Sequence, residues 1–516
     1  RRSTFKRVLF LAYHVFEVTH TDLAARLGKL TIGSKRVDTP AFLPVVHPIR
    51  QEVPSHLLSS MGFQIVITNA YITMKKFPHG VDIHSQIGFD GVVMTDSGGY
   101  QLLEYGKLDA KPDQIAEYQK KIGSDIAVIL DTPTGYPADR AHAEATVTRT
   151  LAAAKESSKI IGSKPPLWAG PVQGGVYSDL VKYSAKEISK FPFDIFAIGS
   201  PVELMNNYRF KDVSSLIQNA KAYLPLDKPV HLFGAGHPFI IPLAVALGCD
   251  LFDSASYILF AKRNSYMTTE GVRRLDEMTD LPCSCSICSS TNVKELIEMP
   301  KDERIIKIAV HNLNVIRAEL AMTREAIREG RLWSYLMRKI RTHPKLFDSF
   351  HFSKRTLDEM EQGSMIGESR ALMLFDSNDL ICPEVTRHLK RMIHNYRPGS
   401  KKLTLYFLQN DWDRAYRYSL AKNMTWDKAF FHPFFSMVPA ELLQVYPLSQ
   451  NVFPERVDRK TLRVSLRNLV NLVKLYSLEN VELVYDAGQR NIALRAYNLL
   501  KRYKGREVSI KPVKYT

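Results

Sequence analysis

Short apolar runs recur at intervals through the first half of the chain. They are AFLPVV (41–46), FQIVITNA (63–70), GVVMTD (91–96), IAVILD (126–131), LWAGPVQ (167–173), IFAIGS (195–200), PVHLFGAG (229–236) and DLFDSAS (250–256). The runs are rich in Val, Ile and Phe and do not alternate with polar residues, as strands buried on both faces require. Amphipathic stretches such as PDQIAEYQKKIG and AHAEATVTRTLAAAKES separate most of them. Eight strands alternating with helices over roughly 220 residues predict an α/β fold, a closed (β/α)8 barrel. An open, doubly wound parallel sheet is the structural rival.

The pattern turns long and helical from Asp302 to about Leu336, and the segment 341–365 begins as a loop with few apolar runs. Smaller α+β units follow. RALMLFDS and KLTLYFLQ read as strands around the helix CPEVTRHLKRMIHNY, and VELVYD reads as a strand between RKTLRVSLRNLVNLVKLY and QRNIALRAYNLLKRY. The expected organisation is a short N-terminal extension (1–15), a catalytic barrel with a metal-binding insertion (16–345), an α+β domain (362–435) and a basic α+β domain (436–516). The first residues, RRSTFKRVLFLAYHVF, superficially resemble a signal peptide but lack a small-residue cleavage site. No run approaches the roughly 18 apolar residues of a membrane span.

Charge adds a partner. Among 516 residues, 70 Lys and Arg against 53 Asp and Glu give a formal net charge of +17. An excess of this size points to a polyanion, nucleic acid first, with a solvated basic surface as the bland alternative. The final stretch, Asn451 to Thr516, holds 14 basic and 6 acidic residues, a net +8, interleaved with five tyrosines. That composition suits contacts to phosphates.

Two features carry candidate chemistry. The predicted strands end on Asn69, Asp96, Asp131, Gln173, Ser200, Gly234 with Gly236, and Asp253. In a barrel these ends converge on one mouth. A single Asp there is commonly a helix cap, but three Asp, a Gln and several glycines at the same relative place exceed what capping needs. Second, CSCSIC supplies Cys283, Cys285 and Cys288, and His311 follows after 22 residues. Three thiolates and an imidazole complete a tetrahedral zinc site with no open position, so the metal would be structural. His311 is the candidate fourth ligand, with His351 and other histidines as alternatives. Only Cys249 and Cys382 remain, and an odd total of five is no disulfide framework.

TPAFLPVV, TDSGGYQ, PVQGG, FDSASY and CSCSIC…H, in this order, resemble tRNA-guanine transglycosylases, and the archaeal branch that serves archaeosine synthesis most closely. The likeness covers residues 16–340 and continues more loosely through FFHPFFSMVPAELLQVYPLSQ (430–450). It implies a (β/α)8 barrel with one structural zinc, held by Cys283, Cys285, Cys288 and His311. It also implies exchange of guanine at position 15 of the tRNA D-loop for 7-cyano-7-deazaguanine through a covalent ribosyl-enzyme intermediate. By the same resemblance Asp253 is the nucleophile and Asp96 the general acid/base, although the residues themselves leave their order open. Ser97, Asp131, Gln173 and the backbone of Gly199 read the base, and Tyr100 and Phe233 sandwich it. Arg263, just past Asp253, is a candidate for flanking phosphates, with a solvated surface arginine as its rival. The expected partners are tRNA, guanine and 7-cyano-7-deazaguanine, in a cytoplasmic homodimer with no membrane contact.

The chemistry agrees independently. Exchanging a base without losing the ribose to water needs a carboxylate to hold the anomeric carbon and a second acid to manage the proton of each base. Two other readings compete. An archaeosine synthase paralogue would lack the barrel carboxylates and carry a lysine motif with a nearby cysteine, which FHPFFSMVP does not. A non-enzymatic RNA-binding subunit would have lost Asp253. Archaeal members commonly end in a PUA domain; none is seen before this sequence stops at KPVKYT, which leaves that domain absent, truncated or supplied by another chain.

Overall fold

All eight apolar runs become parallel strands of one closed sheet. The computed structural model describes residues 15–101, 110–162, 165–367, 370–408, 426–502 and 506–513. The proposed extension 1–15 therefore lies outside the described residues but for its last. The chain divides into two compact units, one of residues 1–328 and 335–356, the other of 329–334 and 357–516.

The first unit opens with an antiparallel sheet, β1 (Phe16–Asp22), β2 (Ala25–Ile32) and β3 (Lys35–Thr39). The barrel strands follow: β4 (Ala41–Pro44), β5 (Ile65–Asn69), β6 (Val92–Asp96), β7 (Ile126–Val128), β8 (Leu167–Val172), β9 (Ile195–Ile198), β10 (Val230–Leu232) and β11 (Leu251–Ser254). They are hydrogen-bonded in the order β4-β11-β10-β9-β8-β7-β6-β5. A parallel bridge between Val45 and Ile67, with Val46 N–H donating to Ile67 O at 2.8 Å, joins the two ends and closes the barrel. The closed form, not the open sheet, is the fold.

Every second residue of these strands points inward. Ala41, Leu43, Ile65, Ile67, Val92, Met94, Ile126, Val128, Leu167, Ala169, Ile195 and Leu251 form one buried cluster. The intervening residues, such as Phe42, Val93, Trp168, Phe196 and Phe252, are equally buried. Both faces are apolar, which is why the runs do not alternate. Phe16, Leu30, Ile32 and Val37 of the first sheet belong to the same cluster, so that sheet stoppers the barrel interior. The sequence reading absorbed it into the barrel. Its outer strand is polar, and nothing local distinguishes a plug from a surface hairpin.

One buried ion pair ties the plug to the barrel. Arg26 of β2 donates from Nε to Asp250 Oδ1 at 3.2 Å, and a second Arg26 nitrogen pairs with Asp250 Oδ2. Asp250 Oδ2 also accepts from Val230 N–H at 2.7 Å. After β11 comes the antiparallel pair β12 (Ser265–Thr268) and β13 (Gly271–Arg274). A 28-residue helix, Lys301–Arg328, then packs against it.

In the second unit β14 (Leu372–Met373) pairs with β18 (Asn451–Val452). A five-stranded sheet has the order β17-β16-β15-β19-β20, with β15 (Lys402–Phe407), β16 (Asp427–His432), β17 (Ser436–Pro439), β19 (Asn480–Tyr485) and β20 (Glu507–Pro512). The expected division at residues 435/436 is not seen. β16 and β17 form an antiparallel pair across it, and β15 lies parallel to β19. Strands from both sides share one core containing Leu405, Phe431, Leu469, Val473, Leu483 and Ala496. Pairing between strands so far apart in sequence leaves no mark in local periodicity. Among the described residues no helix is long and apolar enough to cross a membrane.

Removing one partner of a buried ion pair strands the other charge, at a cost of about 3–5 kcal/mol. Arg26→Met should therefore lower the urea midpoint of the barrel unit markedly, and adding Asp250→Asn should recover part of the loss. A single variant as stable as the parent would show that the pair contributes nothing to holding the plug.

Candidate active site and metal centre

The site is built at the C-terminal ends of the barrel strands. Asp96 closes β6, and Ser97, Gly98 and Gly99 follow it. The two glycines answer to geometry. Gly98 has φ +96°, and a Cβ on it would lie 2.5 Å from Tyr71 Cβ. A Cβ on Gly99 would lie 2.3 Å from Asp131 Oδ1. The turn after Asp96 must bend in the left-handed region and then pass hard against a second carboxylate, which only glycine allows.

Neighbouring strands orient Asp96. Asn69, opposite it on β5, donates from Nδ2 to Asp96 Oδ2 at 3.2 Å and to Gln101 Oε1 at 2.9 Å. Asn69 Oδ1 meanwhile caps the next helix, accepting from Ile72 N–H at 2.9 Å. The cap fixes which end of the amide faces Asp96. Gly98 N–H donates to Asp96 Oδ2 at 3.1 Å. Burial, then the charges of Asp131 and Asp253, push the Asp96 carboxyl up to about 7. A buried acid that titrates near neutrality can both give and take a proton.

Asp131 and Gln173 face each other in the same mouth. Gln173 Nε2 donates to Asp131 Oδ2 at 2.6 Å. Gln173 Oε1 accepts from Ser200 Oγ at 2.9 Å and Thr134 N–H at 3.1 Å. Ser200 Oγ in turn accepts from Thr134 N–H at 3.0 Å and Gly135 N–H at 3.1 Å. This chain fixes the amide orientation: the Gln173 carbonyl is spent on the scaffold, and its N–H end lies beside Asp131. Gly199 runs against that amide, where a Cβ would sit 2.2 Å from Nε2. Burial pushes the Asp131 carboxyl up to about 6, opposed by the Gln173 hydrogen bond.

Asp253 lies on β11 with 9% of its surface exposed. Its Oδ1 accepts from His231 Nε2 at 2.8 Å and Gly234 N–H at 2.9 Å. Ser97 is fully buried, and its hydroxyl has no hydrogen-bond partner among the described residues. An orphaned buried hydroxyl costs about 1–3 kcal/mol, a cost that a ligand with a polar edge would relieve. Phe233 is half-buried, edge-on to His231 with ring centroids 4.7 Å apart, while Tyr100 is 47% exposed.

The structure thus gathers Asp96, Ser97, Asp131, Gln173, Gly199, Phe233 and Asp253 at strand ends of one barrel, with Tyr100 on the turn after Asp96. Arg263 stands apart, exposed at the C-terminal cap of the helix Ser256–Lys262. His231 and Thr134 escaped the sequence reading. His231 had left a signal, a titratable residue at the centre of the apolar run VHL. Thr134 acts mainly through its backbone and left none.

The metal-binding candidates also meet. Single donor atoms of Cys283, Cys285, Cys288 and His311 all lie within 4.8 Å of one another. Cys285 Sγ is 3.6 Å from Cys288 Sγ and 3.6 Å from His311 Nδ1, and Cys288 Sγ is 3.3 Å from Nδ1. A tetrahedron with metal–sulfur bonds of about 2.3 Å has sulfur–sulfur edges of roughly 3.8 Å, so the four groups fit one ion. His311 Nε2 donates to Met267 O at 2.9 Å, which leaves the Nδ1 lone pair facing the thiols, and the Tyr266 ring stacks on the imidazole at 3.6 Å. His351 is exposed and is no member of the cluster.

Residues 22–345 match the family model described as queuine tRNA-ribosyltransferase. The chain belongs to this family of tRNA base-exchange enzymes. It is 37% identical to the tRNA-guanine(15) transglycosylase of Sulfolobus acidocaldarius over 91% of this chain and 95% of that protein. It is 42% identical to the protein of the same name from Pyrobaculum aerophilum, over 84% and 90%. With that from Methanocaldococcus jannaschii it shares 40% identity over 86% of this chain and 69% of the relative.

The raised Asp96 carboxyl has a consequence for stability. The folded chain keeps this proton up to about pH 7, whereas an unfolded Asp releases it near 3.9. Between those values the folded state binds more protons, so this residue's contribution falls as pH rises. Asp96→Asn cannot ionise. It should raise the melting temperature by a few degrees at about pH 8 and by less at about pH 5. Equal shifts at both pH values would mean that ionisation of Asp96 carries no stability cost.

Proposed function

We propose that this chain replaces guanine at position 15 of the tRNA D-loop with 7-cyano-7-deazaguanine through a covalent ribosyl-enzyme intermediate, a step of archaeosine biosynthesis. One observation carries this reading. Three carboxylates share one buried mouth in different settings: Asp96 titrates near neutrality, Asp131 is paired with an amide, and Asp253 has one oxygen held by two donors.

The division of labour follows. Guanine is flipped from the tRNA into the mouth, because its glycosidic bond is unreachable within a folded RNA. Gln173 offers an N–H to the carbonyl of the purine edge, Asp131 accepts from its ring N–H and exocyclic amine, and Ser97 and the Gly199 backbone complete the set. Tyr100 and Phe233 stack on the faces of the base. Asp253 attacks the anomeric carbon from the side opposite the base, forming a ribosyl ester as the glycosidic bond breaks. Asp96 gives its proton to the departing guanine. The same carboxylate then removes the ring N–H proton of 7-cyano-7-deazaguanine, whose freed nitrogen displaces Asp253 and restores the glycosidic bond. Each base thus exchanges one proton with Asp96 and one bond with Asp253, and the double displacement retains configuration.

Zinc suits the thiolate-rich set of Cys283, Cys285, Cys288 and His311. When bound it supplies structure, cross-linking the cysteine loop to the helix Lys301–Arg328, and it leaves no coordination position for a reactant. Contacts to tRNA phosphates fall to the basic second unit, where Arg459, Arg463 and Arg467 are exposed at helical i, i+4 spacing. Arg263 is a further phosphate contact. As part of this reading the enzyme works as a cytoplasmic homodimer, an assignment that rests on family resemblance alone.

The decisive measurement is base exchange with labelled guanine and unmodified tRNA, scored by position. Asp253→Asn should abolish exchange and yield no covalent tRNA adduct, and Asp96→Asn should lose at least ~10²-fold in rate. In the parent protein, peptide mapping of the trapped adduct should find it on Asp253. An adduct on Asp96 would reverse the two roles, and exchange without any adduct would end the covalent mechanism. For the metal, analysis should give one zinc per chain, and Cys285→Ala should lower the melting temperature. A metal-free variant with parental stability and activity would contradict a structural site.

A further inference from the structure

We propose that His231 is a positioning residue: as a neutral, fixed hydrogen-bond donor it selects which oxygen of Asp253 attacks the ribose. The inference rests on the base-exchange reading above and goes beyond it. His231 is the central residue of β10, where it pairs in register with Leu251 of β11, two residues before Asp253. Leu251 points into the barrel, and Asp253 follows on the same face. The imidazole is completely buried, and its Nε2 lies 2.8 Å from Asp253 Oδ1.

Three observations set the state of the ring. Gly234 N–H donates to the same Oδ1 at 2.9 Å, so that oxygen is an acceptor and the shared hydrogen belongs to His231 Nε2. His231 Nδ1 is buried and has no hydrogen-bond partner among the described residues. Protonating it would create a second buried N–H with nothing to accept it, whereas a bare lone pair leaves only an acceptor unfilled. The ring is therefore the neutral Nε2–H tautomer. It has no route for passing a proton onward through Nδ1 and does not act as a base. Finally, the Phe233 ring meets it edge-on, with centroids 4.7 Å apart at 69°, which fixes the plane of the imidazole.

The consequence falls on the carboxylate. Both donors engage Oδ1, and no hydrogen bond reaches Oδ2 among the described residues. One oxygen is tethered and the other is left to form the ester bond. The choice of side chain is physical. A lysine or arginine at position 231 would ion-pair with the nucleophile and quench it. A leucine would leave one backbone N–H to hold it. A neutral imidazole orients the carboxylate and adds no counter-charge. Phe233 thereby links two parts of the site, since the ring proposed to stack on the base also buttresses the group that aims the nucleophile.

The test compares His231→Leu with His231→Gln, whose side-chain N–H can reach the position of imidazole Nε2. Misplacing a reacting group by about 1 Å costs on the order of 10²-fold in rate. His231→Leu should accordingly lower kcat about 10²-fold, while KM for tRNA and for the base stay within about twofold, because the residue touches neither. Single-turnover formation of the tRNA adduct should slow equally. His231→Gln should recover most of kcat. Unchanged kcat in His231→Leu would overturn the proposal. So would a His231→Gln protein of parental melting temperature that is as slow as the leucine variant, which would reduce the residue to packing. Histidine-selective 15N NMR of the unmodified protein needs no variant: a protonated Nδ1 on His231 would also overturn it. Failure of the underlying reading shows separately, as a parental adduct that maps elsewhere than Asp253.

Discussion

Closure of the parallel sheet is the constraint on which the molecule depends. Eight strands can meet at one mouth only if the last edge finds the first, and here a single bridge, Val45 to Ile67, with one flanking hydrogen bond joins them. Closure removes the exposed edges of the sheet and sets every carboxyl strand end on the same rim. It also creates an interior that must be filled. The inward residues of the barrel fill its middle, and Phe16, Leu30, Ile32 and Val37 of the first sheet continue that cluster. The rim is left for polar groups.

Those polar groups sit together at a cost. Burial raises the proton affinity of Asp96 and Asp131, and the charges of Asp131 and Asp253 raise that of Asp96 further. A barrel optimised for stability alone would not place three carboxyls there. What makes the cluster tolerable is that each is engaged differently: an amide and a backbone N–H for Asp96, the Gln173 amide for Asp131, an imidazole and a backbone N–H for Asp253. The same contacts give the three carboxyls different surroundings, which suits the separate roles proposed for them. Stability given up at the rim leaves three chemically distinct carboxyls there.

The candidate metal centre and the mouth are consecutive in the chain. The short helix after Asp253 leads directly to β12, whose Tyr266 stacks on His311 and whose Met267 carbonyl accepts from its ring. A metal cross-link there would steady the segment that leaves β11. A closed Cys3His set is suited to that task because it offers no position at which substrate could compete.

Much of this was legible in the chain itself. Strands buried on both faces need continuous apolar runs, so the eight runs announced the barrel, and the residues that ended them announced the rim. TDSGG showed a carboxylate before two glycines, and CSCSIC a wrap around one ion; both are local, and local geometry is what sequence encodes most directly. Partners distant in the chain were another matter. The choice of His311 over His351 depends on a helix returning to the cysteine loop. The plug formed by β1–β3 depends on an interior that exists only after closure. The merging of residues 402–512 into one sheet depends on β15 meeting β19. His231 illustrates the boundary. Its place inside an apolar run was visible, but its partner, its tautomer and the oxygen it holds exist only once β10 and β11 lie side by side, because a hydrogen bond between residues 22 apart is a property of the fold and not of either segment.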